Sequence, residues 1–184
     1  MIRARFVVML AVALAAATGC GSKGSNDVDV DSSLTAQRAQ QRVYELMTDT
    51  LKGLPGGVAL SKEPGNPQLA KFDKPYPLTV PCWDGNLQSD GPRYVRIPYW
   101  VVGLPAGGTR DYFDRITRVW QEHDWRTVNS TDWILIVETG DGYTLQLQDA
   151  DKGDGSLSIT GSSPCIPQSA LEPLDPDPLE IKAL

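Results

Sequence analysis

The chain has 184 residues, a length typical of one domain with flanking segments, and 41% of its residues are hydrophobic. Together with five tryptophans, this composition is sufficient for a packed core and excludes a globally disordered chain. The formal net charge of -6 argues against nucleic acid as a partner and against electrostatic docking on anionic lipid.

The N-terminus has the three parts of a secretory signal peptide, predicted over residues 1–19. Arg3 and Arg5 form a basic region, and the apolar run 6–17 is shorter than the roughly 18 residues that a membrane-spanning helix needs. The next residues, Ala-Thr-Gly-Cys at 17–20, resemble the lipobox of bacterial lipoproteins, with Ala where Leu is usual. The resemblance implies that Cys20 is acylated, with chains such as palmitate, and anchors the protein to the extracytoplasmic side of the cell membrane. An ordinary signal peptide with an incidental cysteine is the alternative.

Composition divides the rest of the chain into three segments. Residues 20–33 are rich in Gly, Ser, Asn and Asp and are predicted to form a lipidated flexible tether. A single folded domain is predicted over 34–165. Residues 166–184 combine prolines with acidic residues and predict an extended tail, held along the domain by apolar side chains such as Ile166.

The first half of the domain begins with a helix. Apolar residues recur at spacings of three and four as far as Leu51. The predicted N-cap is Ser32 or Ser33, and Leu-Pro-Gly-Gly at 54–57 is predicted to end the helix. A short strand is predicted over 78–80. A longer one over 94–102 contains a proline at position 98, which indicates an edge strand or a bulge.

A second helix is predicted over 110–123, with Thr109 as its N-cap. Its apolar stripe of Tyr112, Phe113, Ile116, Val119 and Trp120 indicates a face buried in the core rather than a cofactor site. The preceding loop, 104–109, offers backbone N–H groups to an anion but lacks the lysine and spacing of a phosphate loop, so we interpret it as a connection.

The second half predicts an antiparallel meander. After a short strand at 125–128, a nearly continuous apolar run covers 133–138, and apolar and polar residues alternate over 143–148 and 157–160. Gly- and Asp-rich turns separate these three segments. The predicted order is α-β-β-α-β-β-β. Because amphipathic helices need an apolar surface, the fold class is predicted to be α+β, a two-layer sandwich with two helices on one face of the sheet.

The three cysteines predict one disulfide bond. If Cys20 is acylated, Cys82 and Cys165 remain, and two thiols in an oxidising compartment usually pair. A bridge closing so long a loop contributes about 4 to 5 kcal/mol in the loop-entropy model. The cysteines are not closely spaced and there is one histidine, so neither a metal site nor a cofactor is predicted.

The lipobox, the leading helix and the tripeptides Pro-Cys-Trp at 81–83 and Ser-Pro-Cys at 163–165 are similar in layout to the small lipoproteins of mycobacteria and their relatives, such as the LppA-like group. The resemblance implies an envelope location and this fold. It implies no particular activity.

Two patterns offer catalytic side chains. His123 lies between Glu122 and Asp124 at the end of the second helix, and no nucleophile motif accompanies it. Because a positive charge is favourable near a helix C-terminus, its position is explained without a catalytic role. An envelope hydrolase could use carboxylates among Asp111, Asp114, Glu122 and Asp124, provided that their surroundings separate the pKa values. On a helix such residues usually form a solvated face.

The segment 149–155 resembles a calcium loop only in part. Gly153 stands at the fifth position and Thr160 at the twelfth, where the EF-hand pattern has a carboxylate and a glutamate. A hairpin turn explains the same residues.

Aromatic residues near the disulfide and the Pro98 strand form a tentative binding surface: Trp83, Tyr99 and Trp100. Tyr99 and Trp100 are successive strand residues, so one enters the core and the other lies on the open face of the sheet. Completion of the core is the alternative for these rings. The leading functional hypothesis is a non-enzymatic envelope module that binds a protein, polysaccharide or lipid.

Overall fold

The computed structural model describes residues 28–72, 79–83 and 90–183. Cys20, the predicted signal peptide and most of the predicted tether therefore lie outside the described residues. No helix in the described part is long and apolar enough to cross a membrane.

The first helix, α1, spans Ala36–Lys52. Its N-cap is Thr35, whose hydroxyl accepts a hydrogen bond from the backbone N–H of Arg38 at 3.4 Å. The prediction of Ser32 or Ser33 as the cap was wrong, because both serines lie in the turn before the helix. The capping residue must stand immediately before the first helical residue to reach its free N–H groups.

The second helix, α2, spans Thr109–Glu122. Its N-cap is Gly108, whose carbonyl accepts the first helical hydrogen bond, from the N–H of Tyr112 at 3.0 Å. Thr109 was wrongly predicted as the cap. It is the first helical residue instead, and its buried hydroxyl has no hydrogen-bond partner within the described residues.

Within the described part, eight antiparallel strands form one sheet. The predicted meander is present, and two strands of three residues, β1 and β8, were not predicted. The strand order across the sheet is β4-β5-β6-β7-β3-β1-β8, with β2 paired beside β3. The strands are β1 (Ala59–Ser61), β2 (Thr79–Pro81), β3 (Arg93–Val102), β4 (Arg126–Ser130), β5 (Ile134–Glu138), β6 (Thr144–Asp149), β7 (Leu157–Ser162) and β8 (Glu180–Lys182).

The core lies between one face of the sheet and both helices, which confirms the predicted α+β fold class. Alternate residues of the central strands enter this core, including Tyr99, Leu145 and Ile159. Gly161 of β7 lets α1 approach closely, because a Cβ atom at this position would lie 2.5 Å from Cγ1 of Val43. The alternation leaves the opposite face of the sheet to the polar residues of the same strands.

The strand that contains Pro98 is interior, so the prediction of an edge strand was wrong. β3 pairs with β7 on one side over residues 96–100. On its other side it pairs with β2 over 93–95 and with β1 over 100–102. Pro98 lies in the gap between these two short partners, where a residue without a backbone donor is tolerated.

The C-terminal segment, predicted as an extended tail over 166–184, instead completes the sheet. Glu180–Lys182 form β8, which pairs antiparallel with β1. Ile166 is fully buried, and Leu171 and Leu174 pack against the core as expected. The tail is therefore built into the domain at both of its ends.

Cys82 and Cys165 form the predicted disulfide, with their Cα atoms 6.2 Å apart. They follow β2 and β7, which flank β3, so the bridge crosses the beginning of β3 rather than joining the two ends of the sheet. Val30 forms a parallel bridge with Cys165, and the N–H of Asp31 donates to the carbonyl of Cys165 at 2.9 Å. The last residues of the predicted tether are thus bound to the domain beside the disulfide.

Candidate functional site

The sheet face opposite the helices, the open face, carries a groove of about 280 Å³. Phe72, Pro98 and Trp100 form its apolar lining. Gln148, Ser158 and Thr160, on the neighbouring strands β6 and β7, supply neutral polar groups, and Arg96 supplies a positive charge. We call this feature the open-face groove; it lies where three central strands present their polar side to solvent.

Trp100 is the member of the predicted aromatic pair that lies on the open face. Its ring stacks on Phe72, with centroids 4.7 Å apart and planes inclined by 14°. Its indole N–H donates to the carbonyl of Ala70 at 3.0 Å, and only 7% of the residue is exposed. Trp100 is therefore a covered wall of the groove rather than a bare aromatic platform, and Phe72 is the more accessible ring of the stack.

Tyr99 belongs to the core, as the alternative interpretation of these aromatic residues predicted. It is fully buried and donates its hydroxyl hydrogen to the carbonyl of Pro178 at 2.8 Å. Trp83 packs closely on Gly91, whose φ of 111° and lack of a side chain admit the ring. Trp83 is not among the described residues that line the groove.

Arg96 is exposed on β3 at one end of the groove. It makes no hydrogen bond or ion pair with another described residue. Its cross-strand neighbour on β7 is the neutral Ser162. No carboxylate among the described residues lines the groove, so none of them competes with an external anion for the guanidinium.

Hydrogen bonds within β6 and between β6 and β7 order the polar wall of the groove. The side-chain amide of Gln146 donates to Oε1 of Gln148 at 2.9 Å. The hydroxyl of Ser158 donates to the backbone carbonyl of Gln148 at 3.3 Å. These bonds hold Gln148 beside the groove, and Thr160 adds a hydroxyl that is both donor and acceptor.

A second polar cluster, which was not predicted, is buried beneath the C-terminal segment. Nζ of Lys62 lies 2.6 Å from Oδ2 of Asp177, donates to the carbonyl of Pro98 at 2.9 Å, and stands 3.8 Å from the ring centre of Tyr99. The hydroxyl of Tyr44 donates to Asp177 at 2.5 Å. No sequence signal marks this cluster, because its members are far apart in the chain and belong to no motif.

Burial sets the ionisation of this cluster. It lowers the pKa of the Lys62 ammonium group, and the carboxylate of Asp177 opposes that change. Burial and the nearby Asp177 charge both raise the pKa of Tyr44 and of Tyr99. We interpret the cluster as a structural contact that holds the C-terminal segment on the domain, because its groups pair with one another through hydrogen bonds and an ion pair and are covered by that segment.

The carboxylates considered for a hydrolase are not brought together. Asp111 and Asp114 are half exposed, and each pairs with an arginine one helical turn away, at 2.7 and 2.9 Å. Glu122 and Asp124 are exposed near the end of α2, at least ~12 Å further along the helix axis. His123 stacks on Trp125, with ring centres 4.8 Å apart.

The 149–155 loop, which resembles a calcium loop in part, makes internal contacts. Asp149 accepts hydrogen bonds from the N–H of Asp151 and the hydroxyl of Ser156. The carboxylate of Asp154 accepts from the N–H of Gly107 at 2.9 Å, so the anion bound by the 104–109 loop is a side chain of this protein. In the described ranges no group of three or more His, Cys, Asp and Glu residues is placed to hold a metal ion.

No protein-family model matches the sequence, and no curated protein or solved structure matches it significantly. The similarity to mycobacterial lipoproteins therefore stays a prediction from the short sequence features.

Proposed function

We propose that this protein is a membrane-anchored lipoprotein of the cell envelope that acts as a non-enzymatic binding module, with the open-face groove as its ligand site. The observation that carries the proposal is the groove itself: an apolar wall, neutral hydrogen-bonding groups, and an arginine that pairs with no other described residue. Except for Phe72, the residues that argue for binding lie on the central strands β3, β6 and β7. Binding sites commonly combine apolar walls with a few polar groups in this way. The carboxylates on and near α2 either pair with arginines or lie apart from those that do, which favours binding over acid–base catalysis.

The anchor would keep the domain close to the membrane surface. Residue 30 is ten positions after Cys20 and is already joined to the domain at Cys165. Ten residues of fully extended chain span at most roughly 35 Å. A module held at this distance by acyl chains on Cys20 would meet ligands in the layer next to the membrane.

The test is a pull-down from the native envelope with the full-length protein and two matched variants. Thr160→Tyr places a bulky ring in the groove, whereas Thr144→Tyr places the same ring on the same polar face of the sheet, outside the groove. Captured polysaccharide, lipid and protein are each measured, and thermal melting checks that both variants fold.

We expect the Thr144→Tyr protein to capture the same material as the wild type and the Thr160→Tyr protein to lose it. Equal capture by all three proteins would place the ligand site elsewhere and contradict the proposal. Breakdown of the captured material during incubation would favour the hydrolase alternative instead.

A further inference from the structure

We infer that the ligand of the open-face groove is an anionic carbohydrate, in which a carboxylate or phosphate group pairs with Arg96 while the sugar hydroxyls meet Gln148 and Thr160. This inference rests on the proposed function and names the chemical class of its ligand. It combines three properties of the groove: its charge, its hydrogen-bonding groups and its shape.

Charge is the first argument. The whole chain is acidic, with a formal net charge of -6, yet the one charged side chain among the described groove residues is Arg96. An arginine that has no partner among the described residues, at the end of a groove they leave otherwise neutral, attracts a single anionic group. Its planar guanidinium forms paired hydrogen bonds with carboxylate and phosphate oxygens.

The hydrogen-bonding groups are the second argument. The hydroxyl of Thr160 and the side-chain amide of Gln148 each offer a donor and an acceptor, and the hydroxyl of Ser158, which donates to the Gln148 carbonyl, still offers an acceptor. A sugar presents the same mixture along its edge. Phe72, which is partly exposed, offers apolar surface to the C–H groups of a sugar ring.

Shape and position argue against other ligand classes. The volume of about 280 Å³ lies at the small end for ligand sites, which suits a short part of a polar polymer better than acyl chains. One arginine does not match a polyphosphate backbone or an anionic membrane surface. The groove lies on the face of interior strands, so a peptide cannot bind there by adding a strand to a sheet edge.

The experiment measures binding of the full-length protein, in detergent, to an array of oligosaccharides. Each acidic member, carrying either a uronic acid or a sugar phosphate, has a neutral counterpart of the same length and linkage. We expect acidic members to bind roughly five- to tenfold more tightly than their counterparts, with the preference weakening as salt is raised. Comparison of the uronic acid and phosphate members identifies the anion.

The variants assign the preference to one side chain. Arg96→Gln should remove the acidic preference and Arg96→Lys should keep part of it. Arg118→Gln removes an arginine that is also exposed but lies on α2, on the other side of the sheet, and should not change the acidic preference.

The possible failures are distinguishable. Equal binding of acidic and neutral members, or a preference unchanged by Arg96→Gln, would overturn the anionic ligand while leaving a binding groove. Failure of every oligosaccharide to bind would overturn the carbohydrate class, and a pull-down that still depends on Thr160 would preserve the proposed function. Oligosaccharide binding that Thr160→Tyr leaves unchanged would overturn both.

Discussion

The buried ion pair between Lys62 and Asp177 gives the sharpest test of how the C-terminal segment is held. The two charges lie 2.6 Å apart, with side chains only 4% and 12% exposed. In Asp177→Ala, Lys62 must either lose its proton or remain a buried cation without this carboxylate. The hydroxyl of Tyr44 also loses its acceptor.

Removal of one partner from a buried pair costs about 3–5 kcal/mol of the free energy of unfolding. For a domain of this size that corresponds to a fall of about 6–20 °C in Tm. In Lys62→Met/Asp177→Leu the two charges are replaced together by apolar groups, and such replacements are often neutral, so we expect most of the stability to return. Asp175→Ala, in the same segment but exposed, should cost less than about 0.5 kcal/mol.

The pH dependence follows from the lowered pKa of Lys62. With a folded-state pKa below the unfolded value of about 10.4, the unfolded chain binds more protons between the two values, so stability rises with pH in that window. Asp177 opposes the lowering, so its removal lowers the pKa of Lys62 further and widens this window in the variant. The deficit of Asp177→Ala relative to the wild type should therefore shrink from neutral pH toward pH ~10. Urea unfolding of the oxidised protein, followed by circular dichroism, measures these differences. A loss below about 1 kcal/mol, or a double variant as unstable as the single one, would refute the reasoning.

Four further predictions concern the anchor, the disulfide and the core. Cys20→Ala should abolish labelling by a palmitate analogue and release the protein from membranes; equal labelling would refute acylation. Replacement of Cys82 and Cys165 by serine should lower the free energy of unfolding by about 4–5 kcal/mol in urea titrations, and an unchanged midpoint would contradict this. Gly161→Ala, whose methyl group would clash with an α1 side chain, should cost about 1–3 kcal/mol in the same assay. Burial raises the pKa of Tyr143 to about 12. The stability that this gives below the ordinary pKa near 10 should therefore be lost as the pH rises through about 12. Tyr143→Phe should reduce that alkaline loss of stability in unfolding titrations, and absorbance titration follows the ionisation of the phenol.

Local periodicity by itself determined the two helices and most of the strands. Apolar residues at helical spacing marked α1 and α2, and alternation between Tyr143 and Thr160 marked the meander, because each pattern is set by the geometry of its own element. The same alternation placed Tyr99 and Trp100 on opposite faces. The cysteine count was sufficient for the disulfide, since Cys82 and Cys165 are the two cysteines left when Cys20 is assigned to the anchor.

Tertiary contacts alone decided the remaining features. β1 and β8 have three residues each, too few to show periodicity, and they are strands because they pair with each other and because β1 pairs with β3. Pro98 is interior because two short strands leave a gap beside it. In the candidate site, alternation placed one aromatic ring on the open face. The cover over Trp100, and the lack of a partner for Arg96 among the described residues, depend on which distant segments fold against them. Lys62 and Asp177 are 115 residues apart in the chain, and only the folding of the C-terminal segment over α1 and β3 makes them a buried pair.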